Sequence, residues 1–399
     1  MSKLILLGAG ASKSYSKSKT GIRMPIAIDF FETFRKLEIS ANPWVLIGHL
    51  INYVVEYRNI SLENFENFNE DIEILHSEIQ AKLYDALKRE KYIFDDPNNL
   101  IYLKSFNELI FLFVSVINEI QNGPISESHI NLAKQLNPED SIITFNWDTL
   151  MDRALNQETD WTTDFGYFKR PQLLYREGWI EPEKLNKKSF PTLLKLHGSS
   201  NWLTSHTVPQ NGKLELTQEV AIDEFFVYES NIKPYSCYAG RYMDGYEEFS
   251  YGYYPPNLPI SGKTAPKGKI IARSRLKHPF MPEGDADSNG LISMPLIIPP
   301  VQKKEYDQFG NLFSSIWKEA EKRLINAKEI FIIGYSFPKT DYRSSELFKS
   351  AFIQRKDMPK ITIINPSPEL IAERFMYEFG ITESNLIVKK EYFTDRTIL

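Results

Sequence analysis

The chain has 399 residues, 42% of them hydrophobic and 25% charged, with 19 Gly and 23 Pro; at about 150 residues per domain this suits two or three units, or one domain with large insertions, and excludes a disordered or collagen-like chain. Lys and Arg number 47 against 52 Asp and Glu, a net charge of −5, which argues against a protein that coats nucleic acid. The single cysteine, Cys237, excludes an intramolecular disulfide and a thiolate zinc module, so no metal and a reducing, cytoplasmic setting are expected.

Met1-Ser2-Lys3 leads straight into an apolar run with no secretory leader pattern, and Lys3–Leu7 reads as a short buried strand. Gly8-Ala9-Gly10-Ala11-Ser12 follows it. From Ile26 the pattern turns helical, with Ile28, Phe31, Phe34 and Leu37 about three apart. Between about 43 and 136 the chain is mainly helical. Trp44, Ile47, Ile51, Val54 and Val55 share a face of one helix, a second runs near 71–91, and a third near 100–121 is stopped by Asn122-Gly123-Pro124. Leu100–Ile120 is the longest apolar segment, but Lys104, Glu108 and Glu119 interrupt it, so a buried helix fits better than a membrane span.

Ser141–Phe145 is the second strand, bounded by Asn146 and Asp148 and followed by a helix over about 148–156. Thr192–Leu196 is the third. Residues 201–294 are rich in Tyr, Gly and Pro without a helical period, which predicts a loop-rich inserted subdomain; its tyrosines include Tyr228, Tyr235, Tyr238, Tyr242, Tyr246, Tyr251, Tyr253 and Tyr254. Leu296–Ile298 is a short strand. The last hundred residues alternate: helix 312–326, strand 329–333, helix 342–352, strand 361–364, helix 368–379, strand 386–388. Apolar strands alternating with helices predict an α/β fold with a doubly wound parallel sheet of nucleotide-binding type. The expected division is a core of 1–42, 137–200 and 295–399, a helical insertion at 43–136 and the small subdomain at 201–294.

The chemistry-bearing residues stand at strand ends, where such sheets bind ligands. Gly8, Ala9, Gly10, Ala11 and Ser12 let the backbone approach a pyrophosphate, or form a plain tight turn. The turn departs from a GxGxxG pattern at Lys13. Asn146 and Asp148 close the second strand; Asp148 also suits a helix cap, which leaves Asn146 without a task. His197 is the one histidine of six at a strand end beside a glycine, where a neutral imidazole can accept a proton, although a structural histidine reads the same. Gly334-Tyr335-Ser336-Phe337-Pro338 has the outline of a nucleophile elbow but lacks its last glycine, so Ser336 reads as a phosphate or ribose contact. Asn365 ends the next strand and reads as a ribose contact or a turn residue. Stacking of bases on the Tyr-rich insert is the weaker alternative to packing.

Taken in order, Gly8–Ser12, Asn146–Asp148, His197–Gly198, Gly334–Ser336 and Ile364–Asn365 form a set that resembles the sirtuin fold over roughly half the chain. The resemblance implies NAD lying across the carboxyl ends of the strands. Protein-deacylating sirtuins carry a four-cysteine zinc module and a Gln before the matching Asn; this chain has one cysteine, and Phe145 stands in place of the Gln. The helical insertion and the run His197-Gly198-Ser199-Ser200-Asn201-Trp202 resemble instead the sirtuin-like effectors of bacterial antiphage defence, which hydrolyse NAD. That implies an NAD glycohydrolase with Asn146, His197 and Asp148 as catalytic residues. Gly8, Ala9, Gly10, Ala11, Ser12, Gly334 and Ser336 would hold the pyrophosphate, and Asn365 the adenosine ribose. Asp29, in the loop that covers the nicotinamide side in the related fold, is a further candidate. A homo-oligomer or a separate sensor, such as a ring ATPase or an Argonaute-type protein, is implied as the switch, with no direct contact to nucleic acid or membrane. A zinc-free deacylase and an NAD or ADP-ribose sensor without turnover are the competing readings.

Overall fold

The structure is a computed structural model that describes residues 2–41, 43–89, 97–163, 165–168, 173–175, 179–180, 189–205, 208–210, 213–215, 226–228, 237–238, 241–242, 270–273, 293–309, 312–338 and 341–399. Its centre is a six-stranded parallel sheet. We number its strands in chain order: β1 (Lys3–Leu7), β2 (Ser141–Thr144), β3 (Thr192–Lys195), β4 (Glu329–Ile333), β5 (Lys360–Ile364) and β6 (Leu386–Lys389). The spatial order is β6-β5-β4-β1-β2-β3, and every neighbouring pair is parallel. This is the order of a doubly wound nucleotide-binding sheet, whose winding reverses between β1 and β4. The inner strands are buried almost throughout, which is why they read as unbroken apolar runs. The edge strand β6 exposes Ile387 and Val388.

Helices flank the sheet. Glu127–Lys134 packs on Leu150–Glu158, and Leu312–Asn326 on Tyr342–Ile353. The sequence boundaries of the strands and of the other three helices hold to within two residues, because each has its own period and its own stop; Glu127–Lys134 is not picked out as a separate helix in the sequence.

The region expected to be helical holds Pro43–Arg58, Ile72–Arg89 and Pro97–Gln121, which share a second hydrophobic cluster with Tyr15, Met24, Phe30, Phe34, Leu150 and Ile297. The last is long and apolar enough to cross a membrane by length and composition, yet it is the central helix of this layer. Its acidic residues explain themselves. Glu108 accepts the His49 N–H at 3.3 Å and the Leu50 N–H at 2.8 Å, just after Ile47 breaks the helix with φ −138°. Glu119 accepts the N–H groups of Glu38 at 2.7 Å and Ile39 at 3.0 Å. Both carboxylates therefore satisfy donors that a helix terminus leaves free. The break at Ile47 also corrects the expected face: Ile47, Ile51 and Val54 are buried, whereas Trp44, before the break, is exposed.

A second sheet, missed in the sequence, is antiparallel where it meets the core. Gly198–Ser205 pairs with Ser293–Ile297, and Phe226–Tyr228, Ile270–Arg273, Leu173–Tyr175 and Trp179–Ile180 extend it. The chain leaves β3 for this sheet at Gly198. There φ is +81°, and a Cβ would lie 2.1 Å from the Leu296 carbonyl oxygen, so only glycine fits. Of the tyrosines noted in the insertion, Tyr235, Tyr246, Tyr251, Tyr253 and Tyr254 lie outside the described residues.

Under the ends of β2 and β3 lies a fully buried ion pair, Lys195 Nζ to Asp152 Oδ2 at 3.1 Å. Lys195 also donates to the Asp148 carbonyl at 2.5 Å, and the Tyr167 hydroxyl donates to Asp152. Burial pushes the Asp152 carboxyl up, against the pull of Lys195 and Tyr167. Such a pair is costly to break because the remaining charge stays buried. Asp152→Ala is expected to destabilise the protein by about 3–5 kcal/mol in urea unfolding. Pairing Lys195→Met with Asp152→Leu should recover most of that loss; a single-variant cost below about 1 kcal/mol would contradict the account.

Candidate functional site

The loops after β1 and β4 meet backbone to backbone at the winding reversal. Gly8 N–H donates to the Ile333 carbonyl at 3.0 Å, and Gly10 N–H to the Gly334 carbonyl at 2.8 Å. A Cβ on Gly8 would lie 2.5 Å from Tyr335 Cα, and one on Gly334, where φ is +62°, would lie 2.4 Å from the Ala11 nitrogen. The glycines are thus required by the contact between the two loops. Gly8 is buried and Ala9 and Gly10 are exposed, so the tip of the turn faces solvent. The Ala11 N–H is turned inward to the Gly8 carbonyl at 2.9 Å.

Three of the expected residues come together beside this turn. The Ser12 hydroxyl donates to Asp148 Oδ2 at 2.5 Å, and Asn146 Nδ2 donates to Ser12 Oγ and to the Gly8 carbonyl, both at 2.8 Å. Asp148 Oδ1 takes the Leu150 N–H at 3.0 Å, so its capping task and its site task are carried by different oxygens. Ser12 and Asp148 are buried and Asn146 is half-buried.

His197 belongs to a neighbouring group. Its ring lies among Phe145, Trp147, Tyr306 and Trp317, with centroids 5.2, 5.7, 6.1 and 6.3 Å away. It is 2% exposed. Nε2 is 3.1 Å from the Tyr306 hydroxyl and 3.7 Å from Asp341 Oδ1. Lys304 Nζ is 3.0 Å from the same Asp341 oxygen and 3.6 Å from Glu73. Arg343 lies over the rings of Tyr306 and Trp317 at 4.1 and 4.7 Å, a cation–π arrangement. Burial lowers the His197 pKa to about 4; Asp341 pulls it up, and Lys304 and Arg343 push it down. Burial alone would raise Asp341, but His197, Lys304 and Tyr335 hold it below the ordinary carboxylate range. At neutral pH the site therefore pairs a neutral imidazole with a carboxylate. Phe145 and Trp147, which touch the His197 ring, flank Asn146 in the chain, so the two groups share the end of β2. Among the described residues no hydrogen bond joins Asn146 or Asp148 to His197.

The other expected residues stand apart. Asp29 accepts the Ile26 N–H at 2.6 Å and pairs loosely with Lys13 at 3.5 Å. Ser336 is exposed, next to Phe337, which holds φ +50° while buried. A non-glycine residue in that region is strained, and such strain gathers in loops that work. Asn365 Oδ1 accepts the Ser367 N–H at 2.9 Å in a local turn. Sequence reasoning missed Asp341, Tyr306, Lys304 and Arg343. Asp341 had a signal, since it opens the helix after Gly334–Pro338 as Asp148 does after β2. Tyr306 and Lys304 lie in an irregular segment with no period to read.

No protein-family model matches the chain, and no curated protein does. Among solved structures it is similar to a mutant Sir2 homologue in complex with ADP-ribose, at 12% identity and TM-score 0.30, covering 75% of this chain and 73% of that one. It is also similar to a structure on the mechanism and regulation of Sir2 enzymes (13% identity, TM-score 0.33, covering 97% and 86%). A Sir2–p53 peptide–NAD+ complex is a third (13% identity, TM-score 0.31, covering 96% and 94%). Strand order and pairing establish the α/β class directly.

Two outcomes are expected. Gly334→Ala combines a left-handed φ with a backbone clash, so it should cost about 2 kcal/mol or more in thermal unfolding; an unchanged melt would contradict the contact. Burial also lowers the pKa of His129 to about 4 and of His76 to about 3. Groups that fold neutral take up protons more readily unfolded, so the unfolded chain binds more protons below its histidine pKa of about 6.5. Stability should hold above that pH and fall as pH drops toward 4. His197→Gln should flatten part of that slope.

Proposed function

We propose that this chain is a sirtuin-like NAD glycohydrolase that cleaves NAD to nicotinamide and ADP-ribose. What carries the reading is one arrangement: Ser12, Asn146 and Asp148 tied together at the winding reversal, with a neutral His197 at the end of the adjacent strand. The crevice at the carboxyl ends of such a sheet is where a dinucleotide lies. NAD would be the substrate, with the Gly8–Ser12 turn, Gly334 and Ser336 toward its pyrophosphate, Asn365 toward the adenosine ribose and Asp29 toward the nicotinamide side.

The bond that breaks joins C1′ of the ribose to the nicotinamide nitrogen. Its electron pair leaves with nicotinamide, which departs neutral and needs no acid. The ribose passes through an oxocarbenium-like state, as in other glycosidic cleavages. Water then bonds to C1′ and gives up one proton. The protein's part is to hold the ribose, shield the cation and place the water. Asn146 is assigned to orient the water or ribose, Asp148 to hold Ser12 and Asn146 in place, and His197 to accept the proton at Nε2. General-base help of this kind contributes typically 10²–10⁴-fold.

The enclosure of His197 behind Tyr306 fits an enzyme held inactive until something opens it. We assign that opening to self-association or to a sensor partner, and the setting to antiphage defence by depletion of NAD. The same enclosure favours a second reading, a sensor that binds NAD or ADP-ribose without turnover. Chromatography of NAD incubated with the protein at high and low concentration, and of NAD from cells that also express the neighbouring gene, separates the two. The expected result is nicotinamide and ADP-ribose with the wild type and neither with Asn146→Ala or His197→Ala, whose melts should stay within a few degrees. Intact NAD with measurable binding would favour the sensor; full activity in either variant would overturn the residue assignment.

A further inference from the structure

We propose that Asp341 is a positioning residue for His197, setting the orientation and proton affinity of its ring from the helix that follows β4, with Lys304 as the competing cation. This rests on the reading of His197 as the proton acceptor.

Asp341 stands where a helix-capping aspartate would stand, at the start of Tyr342–Ile353, yet its carboxylate makes no capping bond to that helix. Both oxygens turn into the site instead. Oδ2 accepts the Tyr335 hydroxyl at 3.0 Å, and Oδ1 lies 3.7 Å from His197 Nε2 and 3.0 Å from Lys304 Nζ. Tyr335 is itself fixed. It stacks on Phe145 at 4.5 Å with planes 12° apart, and its hydroxyl also meets Ser344 Oγ at 2.9 Å. The carboxylate is thus held on a rigid support, 8% exposed, and aimed at one ring nitrogen. Of the two ring nitrogens, Nε2 is the one that faces the Tyr306 hydroxyl and the carboxylate, and it is the nitrogen assigned to take the proton.

The charged and titratable groups facing His197 are Asp341, Lys304, Arg343 and Tyr306; its remaining neighbours are the rings of Phe145, Trp147 and Trp317. A proton arriving at Nε2 creates a buried cation. Asp341 is the one carboxylate in that set, so it bears the compensation. Lys304 draws on the same oxygen, and Glu73, on the helix Ile72–Arg89, draws Lys304 the other way. Asp341 and Lys304 therefore act on the ring with opposite sign.

The test uses the full chain with ¹⁵N-labelled histidine. The His197 signals are assigned as those lost in His197→Gln, and the ring is titrated in the wild type, Asp341→Asn and Lys304→Met. Asp341→Asn should lower the midpoint by about one pH unit and Lys304→Met should raise it by a similar amount. Where acid unfolds a variant before its ring is titrated, the protonated fraction is compared at the lowest pH at which all three remain folded. The order expected is Lys304→Met above wild type above Asp341→Asn. In NAD cleavage, Asp341→Asn should lose tenfold or more in kcat with KM within about twofold, and Asp341→Glu should regain part of it. Unmoved midpoints, or shifts in the same direction, would overturn the proposal. If NAD stays intact with the isolated wild type and also in cells that co-express the neighbouring gene, the glycohydrolase reading fails, while the titration still decides whether Asp341 governs His197.

Discussion

The contact between the turn after β1 and the loop after β4 is the constraint on which the rest of the site depends. These strands are neighbours at the point where the sheet's winding reverses, so their loops rise side by side at one edge. The two backbones come within reach of hydrogen bonds only because Gly8, Gly10 and Gly334 carry no Cβ. Once seated, the Gly8 carbonyl becomes the anchor for Asn146, and Tyr335, the residue after Gly334, is fixed against Phe145. One set of missing side chains therefore places two polar groups at once.

The buried pair of Lys195 and Asp152 supports the same edge from below. Lys195 holds the Asp148 carbonyl, and Asp148 in turn holds Ser12. Charge is kept in the interior there because every partner is present: Tyr167 closes the set on Asp152, and Asn201 Nδ2 donates to the Tyr167 hydroxyl at 3.1 Å. The His197 group follows a different logic. Its ring is buried among aromatics, which favours the neutral form, while a nearby carboxylate makes the charged form reachable. Tyr306 and Lys304, both from one irregular segment, close one side of this group.

The helical layer and the antiparallel sheet attach to the core close to His197. Glu73 of the helical layer reaches Lys304, and Gly198 sends the chain from His197 directly into the second sheet.

The sequence by itself determined the parallel sheet, its strand boundaries and the strand-end positions of Ser12, Asn146, Asp148 and His197. Those features are local: a buried parallel strand is an unbroken apolar run, and its end is marked by glycine or a polar residue. It could also tell that Glu108 and Glu119 interrupt an apolar helix, but not that each carboxylate caps another segment's backbone. Tertiary structure alone decided how those residues are grouped. It tied Asn146 to Ser12, set His197 beside Asp341 across 144 positions of chain, and turned Asp341 away from its own helix. No period or spacing encodes such meetings, because they depend on which strands lie side by side and on how closely two glycine-lined loops can approach.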